Sequence, residues 1–407
     1  MAQSFTSQIT NSTLSSIGPA NCGPFGDLNI AQLTPSAQID FIYGINTQTG
    51  TSSIVTTGVA DTDASRLRLQ TGVGAAGSAT YQTTKTSRYR AGEGMIARFT
   101  GVWASSAASS TQVIGVGSTV LGYFFGFNGT AFGVSRRDAS SDNWVAQTAW
   151  NGDKCDGTGA SGFNWNKTFG NVMQIKYPFL GYGAITFWVQ NPVDASWILC
   201  HTIRYPNTSA SVQLSNASFP IYANAVNTGN TTNLIMYVGS VALFISGIRE
   251  YLGPQWGIDS LKLTITTETN ILSVRNATTY NGMTNTGIIR IRSVSYASDS
   301  GNGISILRLK KGVTLGGVPA YTTINGTTGD NGVTITSGNS LASYDVAGTT
   351  IAGGTLIFNG TVARNSNVTI DMTPYNIYIA PAETLTFSVF AQVSSSIQVA
   401  VNWNEDS

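Results

Sequence analysis

Tyr123-Phe124-Phe125-Gly126-Phe127-Asn128-Gly129-Thr130-Ala131-Phe132-Gly133-Val134 is the stretch whose reading decides the fold. Two apolar, aromatic-rich runs flank an Asn-Gly pair, and both of those residues tolerate the positive φ that a tight hairpin demands. Asn325-Gly326 and Asn359-Gly360 sit in similar settings. Upstream, Met95, Ala97, Phe99, Gly101 and Trp103 alternate with Arg98 and Thr100. Downstream, Ile185, Phe187 and Val189 alternate with Thr186, Trp188 and Gln190. Trp197, Leu199, His201, Ile203 and Tyr205 do so with Ile198, Cys200, Thr202 and Arg204. Leu385, Phe387, Val389, Ala391 and Val393, and then Ile397, Val399, Val401 and Trp403, repeat the period near the end. No window keeps apolar residues at helical spacing over three turns, so the chain reads as all-β. Short strands broken by frequent turns predict antiparallel sandwiches or barrels, read here as two sandwiches of concanavalin-like or jelly-roll-like architecture.

Composition shifts divide the chain. Residues 1–36 are polar, carry Pro19, Pro24 and Pro35, and read as an extended N-terminal arm. Residues 37–252 hold most of the Trp and a dense series of strands, an aromatic-rich sandwich. Gly253-Pro254-Gln255-Trp256-Gly257 reads as a linker. Residues 258–407 exchange aromatics for Thr, Ile, Val, Asn and Gly, and read as a second sandwich.

The chain has 407 residues, 42% of them hydrophobic and only 10% charged, with a formal net charge of +1. Near-neutrality excludes the clustered basic footprint that nucleic acid requires. The apolar content excludes charge-driven disorder. Apolar runs are short and interrupted, so no membrane insertion is expected. Met1-Ala2-Gln3-Ser4-Phe5-Thr6 has neither the basic nor the apolar region of a secretory leader, which points to synthesis in a cytoplasm. Cys22, Cys155 and Cys200 are odd in number and lack CxxC spacing, which fits a reducing compartment better than a disulfide framework. The many Asn-x-Ser/Thr triplets, Asn128 and Asn166 among them, are read as turn material.

Chemistry-bearing motifs are few. Gly72-Val73-Gly74-Ala75-Ala76-Gly77 matches GxGxxG, but strand-like Ser78-Ala79-Thr80-Tyr81 follows where a dinucleotide fold needs a helix. His201 is the single histidine, so any nucleophilic triad or histidine-bound metal would depend on it; a packed core histidine is the plainer reading. Its neighbour Cys200 would face the opposite way on a regular strand. No metal and no cofactor is expected. Arg88-Tyr89-Arg90 and Arg136-Arg137 read as subunit contacts or solvated strand faces. Between Asp138 and Trp165, Asp142, Trp144, Trp150, Asp153, Asp156 and Trp165 gather aromatic rings and carboxylates in one region. That mixture suits a glycan, because rings stack on sugar faces while polar groups take hydroxyls. The plainer alternative is a loop of turn-forming Asp and Gly over buried Trp. A glycan-active enzyme would need two carboxylates in one cleft, and carboxylates are sparse.

Several short motifs in one order resemble a segment of poorly characterised virion proteins of large DNA viruses of algae and protists and of tailed phages. They are Ser87-Arg88-Tyr89-Arg90-Ala91-Gly92-Glu93-Gly94-Met95, Gln112-Val113-Ile114-Gly115-Val116-Gly117, Gly122 through Val134, Cys155-Asp156-Gly157-Thr158-Gly159 and Leu180-Gly181-Tyr182-Gly183. The resemblance covers roughly residues 40–250. It implies a structural protein of a capsid surface, tail, or fibre or spike, located in the virion. Its partners would be copies of itself, a trimer by viral analogy, and other virion proteins, with host-surface glycan as a further contact. It brings no catalytic residues. Met95 to Arg137 is also similar in pattern to concanavalin-like sandwiches, which would favour glycan binding.

Overall fold

A computed structural model describes residues 33–247, 253–280, 282–299, 303–324, 340–363 and 365–406. Residues 1–32, with Cys22, and the Asn325-Gly326 pair lie outside the described residues. The chain separates into two compact units, Met1–Arg249 and Glu250–Ser407.

The first unit's strands run β1 (Leu33–Asp40), β2 (Gly50–Val55), β3 (Val59–Asp63), β4 (Arg66–Gln70), β5 (Ser78–Thr83), β6 (Gly94–Val102), β7 (Ser110–Gly117) and β8 (Gly122–Asn128). They continue as β9 (Ala131–Asp138), β10 (Ser141–Ala146), β11 (Asn171–Tyr177), β12 (Ile185–Gln190), β13 (Trp197–Ile203), β14 (Ile221–Asn227) and β15 (Ile235–Ser246). Eight form one antiparallel sheet, in the order β13-β12-β11-β6-β15-β4-β3 with β1 also on β15; seven form the other, in the order β10-β9-β8-β7-β14-β5-β2. Alternation explains the pairing of faces: Met95, Ala97 and Phe99 from the first sheet and Tyr123, Phe125 and Val134 from the second meet in one buried core. The unit is therefore a two-sheet sandwich.

The β8–β9 hairpin turns where the Asn-Gly pair predicts, shifted by one residue. Asn128 still pairs with Ala131, and the loop is Gly129-Thr130. Gly129 has φ +59° while Thr130 is not among the positive-φ residues, the pattern of a II′ turn with Gly first. Asn359-Gly360 is no turn: both residues lie inside the strand Thr355–Val362, paired with Arg308 and Leu307, so the ladder takes their backbone groups. The glycine-rich 72–77 segment is a loop leading directly into β5, with the Gly74 N–H donating to Thr57 Oγ1. Leu33-Thr34-Pro35-Ser36, read as the end of an arm, instead opens β1 on β15; Pro35 sits beside a break in the register. Gln255-Trp256-Gly257, read as linker, begins the strand Gln255–Ile265, because Trp256 and Ile258 pack on the second core.

The second unit is also two-layered. Gln255–Ile265, Ser395–Asp406, Ile288–Ser298 and Ser366–Asp371 form a path in a five-stranded sheet. Ala342–Asp345, Thr269–Asn276, Thr384–Ala391, Ser305–Lys311 and Thr355–Val362 belong to a six-stranded one. Leu385, Phe387, Val389 and Ala391 from one sheet meet Ile397, Val399, Val401 and Trp403 from the other. Val393 lies beyond its strand and is exposed.

Candidate functional site on the seven-stranded sheet

The six residues singled out between Asp142 and Trp165 separate into three environments. Trp150 and Trp165 are 3% and 2% exposed and stand in the main core, ring against ring with Phe125 and Phe132. The expectation that they stack on a sugar is corrected: burying a large ring is worth more than leaving it wet, and their faces are spent on one another. Asp153 and Asp156 shape the loop. Asp153 accepts N–H bonds from Cys155 (2.8 Å) and Ser161 (2.7 Å). Burial pushes its carboxyl up, but those bonds outweigh it and hold the group below the usual range. The Asp156 carboxyl is lowered by the Thr158 hydroxyl and N–H. Asp142 and Trp144 alone belong to a sheet face, on β10.

That face is the side of the seven-stranded sheet turned away from the core. Tyr123, Phe125, Ile114, Val116, Ile221 and Ala223 point into the sandwich, and their strand neighbours Phe124, Val113 and Tyr222 form a separate small cluster with Trp144 packed against it. The register sets one row: Tyr222 opposite Gly115, Gly115 opposite Phe124, Phe124 opposite Ser135 and Ser135 opposite Trp144. Phe124 and Tyr222 lie with ring centroids 5.6 Å apart. The Arg137 guanidinium lies 4.7 Å from the Phe124 centroid, bound to Asp142 by Nε–H to Oδ1 (3.0 Å) and Nη2–H to Oδ2 (2.9 Å). Ser135 Oγ–H also donates to Asp142 Oδ1, at 2.8 Å. This two-point pairing neutralises a guanidinium that would otherwise be buried alone. Arg136 likewise pairs with Asp138, so neither residue of the Arg136-Arg137 pair is spare basic charge.

Glycine makes the face accessible to a ring. A methyl at Gly133 would meet Trp144 Nε1 at 2.9 Å, so the indole lies across a residue that must have no side chain. Trp144 is half-buried and its Nε1–H has no protein acceptor. Across β9, β8 and β7 from it, Asn224 Nδ2 donates to Thr80 Oγ1 (2.8 Å), and burial pushes the Tyr222 hydroxyl up, keeping it a neutral phenol. Phe124 and Tyr222 escape a local sequence reading because they reach Trp144 only through strand pairing. Alternation within each strand marks the face but not its neighbours.

A second, smaller feature lies at the loops. Ala104, Ser105, Phe127, Asn164, Trp165, Asn166, Lys167 and Thr168 line a depression of about 390 Å³. Asn166 Oδ1 there is taken by Thr168, and burial lowers the Lys167 ammonium.

His201 is withdrawn from chemistry. Asn151 N–H donates to its Nδ1 at 3.2 Å, and burial, with Arg204 nearby, lowers its pKa. The neutral ring then carries its proton on Nε2. Among the described residues no group of three or more His, Cys, Asp or Glu is placed to hold a metal ion. No described helix is long and apolar enough to cross a membrane.

No protein-family model and no curated protein matches the chain. Among solved structures, it is similar to the metal-free form of the Emp46p carbohydrate recognition domain, at 9% identity and TM-score 0.34, over 54% of this chain and 100% of that one. It is also similar to an endo-1,3-beta-glucanase from Streptomyces sioyaensis, at 13% identity and TM-score 0.38, over 53% and 97%. A lectin from Bauhinia forficata in complex with GalNAc gives 11% identity and TM-score 0.33, over 53% and 100%.

Proposed function

We propose that the chain is a non-enzymatic carbohydrate-binding attachment protein, and that the outward face of the seven-stranded sheet takes the sugar. The observation that carries this reading is Trp144: an indole laid over Gly133 and packed on the buried Phe124 cluster, yet only half-buried, so that part of its ring stays open on the outward face. A pyranose ring offers a C–H face to the exposed part of the indole, and its hydroxyls find a polar neighbour on the same strand, at Asp142. A non-catalytic role is supported by the commitments of the reactive groups. Asp142 is held by Arg137, Asp153 by two backbone N–H groups, and His201 by Asn151.

A glycan array with wild type and Trp144→Ala tests the reading. Wild type is expected to select a set of glycans and the variant to lose at least about tenfold in affinity, the scale of one stacked aromatic. Cooperative thermal unfolding should be retained, because the core indoles Trp103, Trp150 and Trp165 are untouched. Equal binding by both proteins, or none by wild type, refutes it.

A second reading, a virion structural component assembled from copies of this chain, is favoured by one feature of the second unit. Its edge strand Gln255–Ile265 carries Leu261 and Leu263, 57% and 65% exposed, and Leu356 and Ile357 are exposed on the edge strand Thr355–Val362. Unprotected edges bearing apolar side chains invite pairing with another chain. Light scattering would give a multiple of 42.8 kDa, three copies if the viral analogy holds, and Leu263→Lys would reduce it. A monomeric wild type sinks this reading.

A further inference from the structure

Two thiols far apart in sequence meet in the core of the first unit. Cys155 Sγ and Cys200 Sγ are 3.8 Å apart and both residues are fully buried. Neither backbone is ordinary. Phe187 pairs with His201 and Trp188 with Leu199, so Cys200 is the extra residue of a β-bulge in β13. The bulge breaks the alternation that would have separated Cys200 from His201, and both are buried. Cys155 has φ +51°, a left-handed conformation rare for a residue with a side chain, which persists only where surroundings impose it. They do so here: Cys155 N–H is held by Asp153 Oδ1, and its carbonyl accepts from Trp165 N–H at 2.9 Å and Gln147 Nε2 at 3.1 Å. The preceding residues are laid on the bulge itself, with Gly152 N–H to Cys200 O (3.1 Å) and Asp153 N–H to Leu199 O (2.8 Å).

The place matters as much as the distance. β10, which leads into this loop, is the edge of the seven-stranded sheet, and β13 is the edge of the eight-stranded sheet. We propose that Cys155 and Cys200 are a disulfide-forming pair whose bond staples the loop after β10 to β13 and closes that side of the sandwich. Closing 3.8 Å to the roughly 2.05 Å of a bond needs side-chain rotation and a small backbone shift, not a refolded loop. With a small-molecule disulfide as oxidant, one protein thiolate attacks it and releases one small thiol. The second protein thiolate then displaces the other, forming the internal S–S bond. The two protein protons end on the two small thiols, and the two electrons reduce the oxidant. Burial holds the Cys200 thiol well above its usual pKa, so exchange is slow in the closed fold and proceeds while the loop is open. The pair stays reduced in a reducing compartment and locks in an oxidising one.

The full chain is incubated with oxidised glutathione or with a reductant, denatured, alkylated with N-ethylmaleimide and weighed. The expected result is three labels in the reduced protein and one in the oxidised, the survivor being Cys22. A peptide joining 155 to 200 should appear, with a Tm higher by roughly 5–10 °C, the scale for closing a loop of this length. The gain should vanish on reduction and be absent in Cys155→Ala. Should that variant not fold, Cys22→Ser, which retains both partners, must still lose both labels on oxidation. Three labels after oxidation, a cross-link through Cys22, or a linked 155–200 pair with no gain in Tm would overturn the proposal.

Discussion

In the first unit, rings fasten a loop to the core. Trp150 and Trp165 come from the connection after β10 and enter a cluster with Trp103, Phe125 and Phe132, with ring centroids between 5.1 and 6.3 Å apart and mostly edge to face. The second unit's core is largely Ile, Leu and Val, and its loops are fastened by buried carboxylates. Asp345 accepts from Ala320 N–H (2.7 Å), Gly348 N–H (3.0 Å) and the Asn270 amide (3.1 Å). Glu405 accepts from Ser340 Oγ–H (2.6 Å), Leu341 N–H (2.8 Å) and Trp403 Nε1–H (3.1 Å). Among the described residues these are the two buried carboxylates, and both lie in the second unit. The first unit thus adds buried ring volume to the part-buried Asp153 bonds in its loop, whereas the second relies on carboxylates that are fully buried. Both are intolerant of truncation, but ring volume is insensitive to pH, whereas a buried carboxylate's hydrogen bonds depend on its protonation state.

The largest effect expected from this contrast is Trp165→Ala, which leaves a ring-sized cavity among its aromatic neighbours. A loss of about 3–5 kcal/mol is expected, read as a fall in the first unit's Tm by near-UV dichroism. A loss under about 1 kcal/mol would mean that the loop does not depend on the ring. Asp345→Ala comes next. It strands buried N–H donors at Ala320 and Gly348 and should cost about 2–4 kcal/mol. Asp345→Asn should recover part of this because one acceptor oxygen remains; equal losses for both variants would show that packing alone is involved.

The smallest effect is a slope. Burial raises the Glu405 pKa above its unfolded value, partly offset by the Ser340, Leu341 and Trp403 bonds. A raised folded pKa means that the native state holds the proton more tightly. Its contribution is therefore fully present below the unfolded pKa of about 4.3 and is lost as pH rises through the folded value. The stability of wild type minus that of Glu405→Gln should fall as pH is raised from about 4 upward in chemical denaturation. His201 in the first unit runs the other way: its lowered pKa gives a contribution present above about 6.5 and lost on acidification. A flat difference for Glu405→Gln would remove the carboxylate half of the comparison.

Much of this was legible before any coordinates. The alternation at Met95–Trp103, Leu385–Ala391 and Ile397–Trp403 named the core-facing residues correctly, because a strand's two faces are fixed by local geometry alone. The β13 alternation failed at Cys200, where a bulge adds a residue that no periodicity can announce. Of the six residues singled out between Asp142 and Trp165, Asp142 and Trp144 lie on an outward face, Asp153 and Asp156 shape the loop, and Trp150 and Trp165 turn inward. Both kinds of Trp stand beside Asp, Asn and Gly, so local chemistry could not separate them.

What the sequence by itself determined is the pleated backbone, the β8–β9 turn, and the shift from aromatic to aliphatic strands. Each rests on interactions between residues close along the chain. Which indole is wet, which carboxylate is buried, and that Cys155 meets Cys200 were decided only in the folded molecule. Those outcomes depend on which strands become neighbours, and pairing over 45 residues or more answers to the free energy of the whole core.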